Sequence, residues 1–347
     1  MNPVDWLTGT WPLYPSIAAF GVCAVVLIVL GSRFARVVDR LADRTGIGEA
    51  IAGVVLLGAT TSMPGLITTV VSAYEGKAEL AVSNALGGIA AQTAFLAVAD
   101  ILYRRANLEH AAASLPNMLQ TMVLIALSAL VVLGASGPDF SWLGIHPVTL
   151  ALPVVYIYGL WLTRQTRDNP MWSPAHTAET RLDEPQEGPD QESLARLWGA
   201  FLLLAGVVAL TGFVVARAGL SILRDTGLSE TFIGGYITSV VTSLPELVTV
   251  IAAVRAGALT LAVGDIIGGN TFDVLFVAAA DVAYREGSVY HALGPSTLFV
   301  TALAVLLTAV LAAGLIYRQK TGVGFEGLVI LVLYALGFTV LFFFTGG

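Results

Sequence analysis

Charge is what this sequence has least of. Only 12% of its 347 residues are charged, against roughly 25% in an ordinary soluble domain. With 56% hydrophobic residues as well, a soluble globular protein is excluded. There is no basic surplus either: 17 Lys+Arg stand against 24 Asp+Glu, a formal charge of −7. Nucleic-acid partners, which are held by releasing counterions from phosphates, are therefore not expected. The one cysteine, Cys23, lies inside an apolar stretch, so neither a disulfide nor a thiolate metal cage can be assembled within the chain. Four histidines, His110, His146, His176 and His291, fall mostly at predicted helix ends or in loops, and no Ser, Lys or His grouping recurs near the buried acids. That leaves little for an enzyme to work with, and no cofactor is expected.

What the sequence has is apolar runs. A helix needs about 20 such residues to cross the hydrocarbon core, and about ten runs reach that length. They lie near 16–31, 47–74, 79–102, 117–136, 145–163, 197–217, 229–254, 258–283, 295–316 and 324–345. The expected fold is an all-α integral membrane protein of about ten transmembrane helices. Several runs are interrupted by Gly, Pro, Ser and Thr, which a bilayer tolerates only where loosened backbone is buried in protein or lines a wet cavity.

One long polar stretch, rich in Pro, Asp, Glu, Gln and Thr, divides the chain. It carries too little apolar surface to order itself. The expected division is an N-terminal membrane half over 1–163, a polar linker over 164–193 and a C-terminal half over 194–347. Arg33, Arg36, Arg40, Arg44, Arg104, Arg105, Arg164 and Arg167 follow odd-numbered spans, and Arg255, Arg318 and Lys320 fall on the same side. The positive-inside rule makes that side cytoplasmic, the linker included, and puts both termini outside a cell-membrane protein. Asp5 precedes the first span and its arginines follow it, the reverse of a cleaved signal, so this span reads as an uncleaved first helix. Trp6, Trp11, Trp142 and Trp161 are expected at the membrane interfaces.

The chain also repeats itself. The stretch from Thr45 to Arg104 aligns without a gap with that from Thr226 to Arg285, at a constant offset of 181. Matched pairs include Gly46 with Gly227, Glu49 with Glu230, Thr61 with Thr242, Ser62 with Ser243, Pro64 with Pro245, Gly87 with Gly268 and Asp100 with Asp281. The offset spans five helices, an odd number, so the second copy enters the membrane from the opposite side. Inverted repeats bring interrupted helices together at the bilayer midplane, where a substrate site can open to either side in turn. The plainer alternative, that duplicated helices share only small-residue packing, does not account for the acids in them.

The second copy reads Thr238-Ser239-Val240-Val241-Thr242-Ser243-Leu244-Pro245-Glu246 within an otherwise apolar helix. A charge at the bilayer centre costs about 2.5–3.5 kcal/mol on insertion scales, so it persists where it has a partner or an ion. Pro245 lacks an amide hydrogen and frees the carbonyl of Val241, as Pro64 frees that of Thr60. The next helix carries Gly264-Asp265-Ile266-Ile267-Gly268-Gly269-Asn270-Thr271-Phe272-Asp273. Its two acids are offset by about 80° around the axis, so one cavity can use both. Carboxylate, amide, hydroxyl and carbonyl oxygens without His or thiolate describe a hard-cation site, suited to Ca²⁺ or Na⁺. Ser239 and Thr249 have a second, bland reading as hydroxyls bonded to their own helix backbone.

Thr-Ser-Leu-Pro-Glu followed by Gly-Asp-Ile-Ile-Gly-Gly-Asn-Thr-Phe-Asp resembles the second alpha repeat of the sodium/calcium exchanger (cation/calcium antiporter) superfamily. Thr61-Ser62-Met63-Pro64 with Ser83-Asn84-Ala85-Leu86-Gly87-Gly88 resembles a divergent first repeat. The resemblance implies two inverted five-helix halves, with the helices of 47–74, 79–102, 229–254 and 258–283 around the ion site and the first and sixth helices sliding over that core. It implies ligands at Glu246, Thr242, Asp273 and Thr61, and no enzymatic activity. It departs where Gly65 replaces the first-repeat glutamate, where Gly88 and Gln92 stand for Ser and Asn, where Gly269 stands for Ser, and where Asp265 stands for Asn, its own first-repeat partner being Asn84. The candidate cation ligands are then Glu246, Asp273, Thr242, Thr61, Asp265, Asn270, Ser243 and Gln92.

Charge accounting leaves two readings. With Asp265 in the cavity three carboxylates remain, enough for a divalent ion to alternate with several Na⁺; without it two remain, which balance one Ca²⁺ but offer fewer oxygens than the six to eight it prefers. The expected function is exchange of Ca²⁺ or a related cation against Na⁺, with proton-coupled or monovalent antiport as the alternative that Gly65 opens. A cation channel is the rival of another class, and the inverted duplication speaks against it. Expected partners are inorganic cations and the lipid bilayer.

Overall fold

The computed structural model describes residues 11–45, 61–103, 107–112, 114–175, 193–256, 259–319 and 324–345. Among these, all extended regular structure is helical apart from an isolated bridge between Trp142 and Ile145. The helices are α1 (Leu13–Thr45), α2 (Met63–Tyr74), α3 (Ala78–Tyr103), the short α4 (Leu108–Ala111), α5 (Leu115–Ser136), α6 (Pro147–Asp168) and α7 (Leu194–Thr226). A broken pair follows, α8 (Glu230–Thr242) and α9 (Leu244–Ala256), then α10 (Leu259–Asp273), α11 (Leu275–Ala283), α12 (Pro295–Tyr317) and α13 (Phe325–Thr345). Among the described residues seven spans are long and apolar enough to cross a bilayer, α10 and α11 together forming one of them, and the bent pair α8–α9 brings the number to eight. The first half of the 47–74 run lies outside the described residues.

Why the long helices outrun their apolar windows is visible in their ends. α1 continues through the arginine-bearing stretch to Thr45, and α7 runs from the Ser193 cap, whose hydroxyl accepts from the Arg196 amide, to Gly227 at φ 71°. Arg, Ala and Leu are good helix formers, so both helices persist beyond their apolar segments, and the left-handed Gly227 ends α7. The polar linker begins later than its composition suggests for the same reason: α6 holds Arg164 to Asp168 in its last turn, and the rest of the linker over 176–192 is outside the described residues.

The centre of the molecule is α3. Every residue from Leu80 to Ala94 is buried, the mark of a helix surrounded on all sides. It packs against α2, α10, α12, α13 and the first turns of α8. The last contact is very close, since a methyl on Gly87 would sit 2.2 Å from the carbonyl oxygen of Gly235. Two bare glycine backbones cross there, which no larger residue permits.

α1 and α7 pack most extensively on each other and lie across α2 and α9. Cys23 is buried in the apolar seam they share with Val208, Val215 and Val241. Trp11 is 4% exposed, its backbone amide donating to Ser221 Oγ on α7 at 3.0 Å, so it fastens the start of α1 to α7. Trp142 and Trp161 are exposed.

A carboxylate bridge to an ion-sized cavity

The site is built by two helix breaks. Pro245 cannot donate to the helix before it and restricts Leu244, so the chain stops at Ser243 (φ −93°, ψ 5°) and resumes as α9 after a bend of 43°. Pro64 occupies the equivalent place at the start of α2, next to Ser62 (φ −78°, ψ −5°). Glu246 and Gly65 are thereby set in the first turns of α9 and α2. Ahead of the break, the six residues Ile233–Thr238 form a π-helical turn, an irregularity that loosens the ladder beside functional sites.

Between these breaks and the middle of α3 lies a cavity of ≈ 10 Å³, lined by Ser62, Gly65, Gln92, Thr242, Ser243, Glu246 and Asp273 together with Asn84, Ala85, Gly88 and Phe276. That is room for about one water-sized sphere, hence for one dehydrated ion. Asp273 reaches it from the last turn of α10, where the helix breaks at Val274 before α11. Ser62 Oγ donates to Glu246 Oε1 at 3.0 Å, and Gln92 Nε2 donates to Asp273 Oδ2 at 2.7 Å and to Ser243 Oγ at 3.4 Å.

Each carboxylate therefore has one oxygen held by a protein donor. The others, Glu246 Oε2 and Asp273 Oδ1, are buried without one, as is Gln92 Oε1. Glu246 and Asp273 are each 3% exposed. Buried acceptors with no donor are costly unless something positive meets them. This donor set is all hard oxygen, which suits an alkali or alkaline-earth cation.

The remaining predicted residues divide. Thr242 and Ser243 line the cavity, the Thr242 hydroxyl also donating to Ser239 O at 3.2 Å. Thr61 is buried beside the break but does not line it. Asn270 does not line the cavity and donates instead to Thr93 Oγ1 on α3 at 3.2 Å. Asp265 is half-buried and outside the cavity, its Oδ2 accepting from Thr249 Oγ1 at 3.3 Å. The 80° offset from Asp273 puts both acids on one side of the helix, yet eight residues of rise separate them by about 12 Å. Ser239 bonds its own helix at Gly235 O, and Thr249 does so at Glu246 O.

Two polar residues of the cavity wall, Ser62 and Asn84, are not among the ligands expected from the sequence. Ser62 holds Glu246, and its signal was present: it matches Ser243 at the repeat offset. Asn84 braces the wall instead of facing an ion, donating to Gly65 O at 3.1 Å and Thr69 Oγ1 at 3.0 Å and accepting from Thr238 Oγ1 at 2.7 Å. Gly65 does face the cavity. A methyl built there lies 3.8 Å from Thr242 Oγ1 and 3.3 Å from the Phe276 ring.

A family model described as sodium/calcium exchanger protein matches residues 15–165 and 196–344. The inner membrane protein YrbG of Escherichia coli K12 is 30% identical over 255 residues, 70% of this chain and 72% of that protein. The sodium/calcium exchanger MaX1 of Methanosarcina acetivorans is 29% identical over 118 residues, 34% of this chain and 32% of that one. In fold, the chain matches the solved sodium-calcium exchanger NCX_Mj with a TM-score of 0.62 at 18% identity, covering 94% of this chain and 99% of that one. The chain belongs to the sodium/calcium exchanger family, a group of multi-pass membrane cation antiporters rather than enzymes.

Proposed function

We propose that the protein carries Ca²⁺ or a related cation against Na⁺, holding each in turn between Glu246 and Asp273. The observation that carries this reading is the pair of donorless carboxylate oxygens on one ion-sized cavity. Two carboxylates balance one divalent ion. Hydroxyls of Thr242 and Ser243 and the Gln92 carbonyl oxygen complete part of its shell, and water supplies the rest of the six to eight oxygens it prefers. The duplicated, oppositely inserted halves open this cavity to each side alternately, the packed pair α1 and α7 sliding across α2 and α9. The termini face outward and the 164–193 linker faces the cytoplasm of a cell-membrane protein.

Gly65 favours a second reading. A cavity that has lost one acid at this position binds fewer positive charges per cycle, so coupling to a proton or to fewer Na⁺ becomes the alternative. Radioactive calcium uptake into sodium-loaded proteoliposomes, and into acid-loaded ones, separates the two. The first reading expects uptake driven by internal Na⁺ and abolished in Glu246→Gln. Uptake driven only by the acid load establishes the second, and uptake unchanged by Glu246→Gln removes this residue from the mechanism.

A further inference from the structure

Away from the ion cavity, the end of α3 meets α4 and the start of α13 in a second knot of acids. Asp100, Glu109 and Glu326 are 2%, 0% and 0% exposed. Two oxygens are satisfied: Asp100 Oδ1 accepts from the Leu108 amide at 2.6 Å, and Glu326 Oε1 accepts from Asn107 Nδ2 at 2.6 Å. Asp100 Oδ2, Glu326 Oε2 and both oxygens of Glu109 are buried with no donor. The chain that carries Glu109 is tied to both other acids, Asn107 to Glu326 and the Leu108 amide to Asp100, which gathers the three carboxyls. Ionised carboxylates have only acceptors to offer one another, so a bond among these oxygens forms only when one of the acids carries a proton.

Among the described residues, the bases beside the knot have other partners. On α4, His110 Nδ1 meets the Arg318 carbonyl, and the Arg318 guanidinium is engaged with the carbonyls of His110 and Ala175. α5 has no charged residue, α12 approaches with Gly314, and α10 carries no base. The matching acid of the other half shows the contrast. Asp281, 181 positions after Asp100, has both oxygens filled by four donors: the His146 and Val289 amides and the Thr149 and Ser288 hydroxyls, at 2.5–2.9 Å.

We propose that Asp100, Glu109 and Glu326 form a proton-binding site separate from the ion cavity, in which Glu109 is a neutral acid donating to Glu326. A metal ion is the poorer occupant. Among the described residues no group of three or more His, Cys, Asp or Glu side chains is arranged to hold one. Burial, with Asp100 and Glu326 adding to it, pushes Glu109 well above the ordinary glutamate range. The folded state then binds a proton that the unfolded chain releases. Its stabilisation is complete below the ordinary glutamate range and is lost as pH rises through the folded value. Deprotonation sets like charges against one another where α13 joins α3 and α4.

Infrared spectroscopy of the purified protein in detergent, together with thermal unfolding across pH, tests this. At neutral pH a protonated carboxyl band is expected that persists in Glu246→Gln and on adding Ca²⁺ but disappears in Glu109→Gln. The fall of the wild-type melting temperature toward alkaline pH should be at least halved in Glu109→Gln, whose amide donates without titrating. If that variant does not fold, Glu109→Leu, which removes the same acid, is read in the same two ways. A band that is absent, that survives in the cluster variant, or that Ca²⁺ abolishes overturns the proposal, and so does an alkaline melting profile unchanged by the variant.

Discussion

Gln92 and Asp273 face each other across the cavity, the amide nitrogen donating to Asp273 Oδ2 at 2.7 Å, and they lie 181 positions apart. That separation is the offset at which the two halves of the sequence align, so the amide of one copy bonds the acid that replaces it in the other. The bond holds a buried negative charge in place when no cation is present, and leaves Asp273 Oδ1 for the ion.

Gln92→Leu removes both this donor and the amide oxygen assigned to the ion's shell. A hydrogen bond to a charged group contributes about 1.5–3 kcal/mol, so Ca²⁺ should bind about tenfold more weakly and uptake should fall with it. Calorimetric titration and initial uptake rates measure both. Affinity unchanged by the substitution would remove the Gln92 oxygen from the ion's shell.

Gly65→Glu returns an acid to the cavity wall. The Phe276 ring, 3.3 Å from the new Cβ, has to give by a few tenths of an ångström. Ca²⁺ affinity is expected to rise by about tenfold, the equivalent of 1.4 kcal/mol, with steeper dependence of exchange on Na⁺. An unchanged Na⁺ dependence would show that Gly65 does not set the coupling.

Asp265→Asn distinguishes a two-acid from a three-acid site. Because Asp265 bonds Thr249 and lies outside the cavity, its neutral isostere should leave Ca²⁺ affinity within about twofold, well under the tenfold of 1.4 kcal/mol. A loss as large as that of Glu246→Gln, in the same equilibrium titration, would place a third acid on the ion.

Gly87→Ala concerns stability. With Gly235 O only 2.2 Å from the new methyl, α3 and the π-helical turn must separate, at a cost of about 1–3 kcal/mol for overpacking. The melting temperature in detergent should drop by several degrees. No drop would contradict the close crossing of α3 and α8.

The breaks at Ser62 and Ser243 were legible, because proline within an apolar run carries its own steric consequence. Glu246 and Asp273 were legible as acids with no business in a bilayer unless something meets them. The place of Asp265 was not: helical periodicity fixes the angle around an axis, whereas the cavity also selects depth along it. Ser62 was obscured because a hydroxyl in an apolar helix most often bonds its own backbone, as Ser239 does. The Asp100–Glu109–Glu326 knot joins residues more than two hundred positions apart, and no local pattern announces it.

The position of the ion is the most direct measurement. Crystals grown or soaked with Sr²⁺, which scatters anomalously, should give a peak about 2.5 Å from Glu246 Oε2 and Asp273 Oδ1, and lose it in Asp273→Asn. A peak elsewhere, or none at saturating Sr²⁺ in a protein that still takes up calcium, would contradict the assignment of this cavity as the transport site.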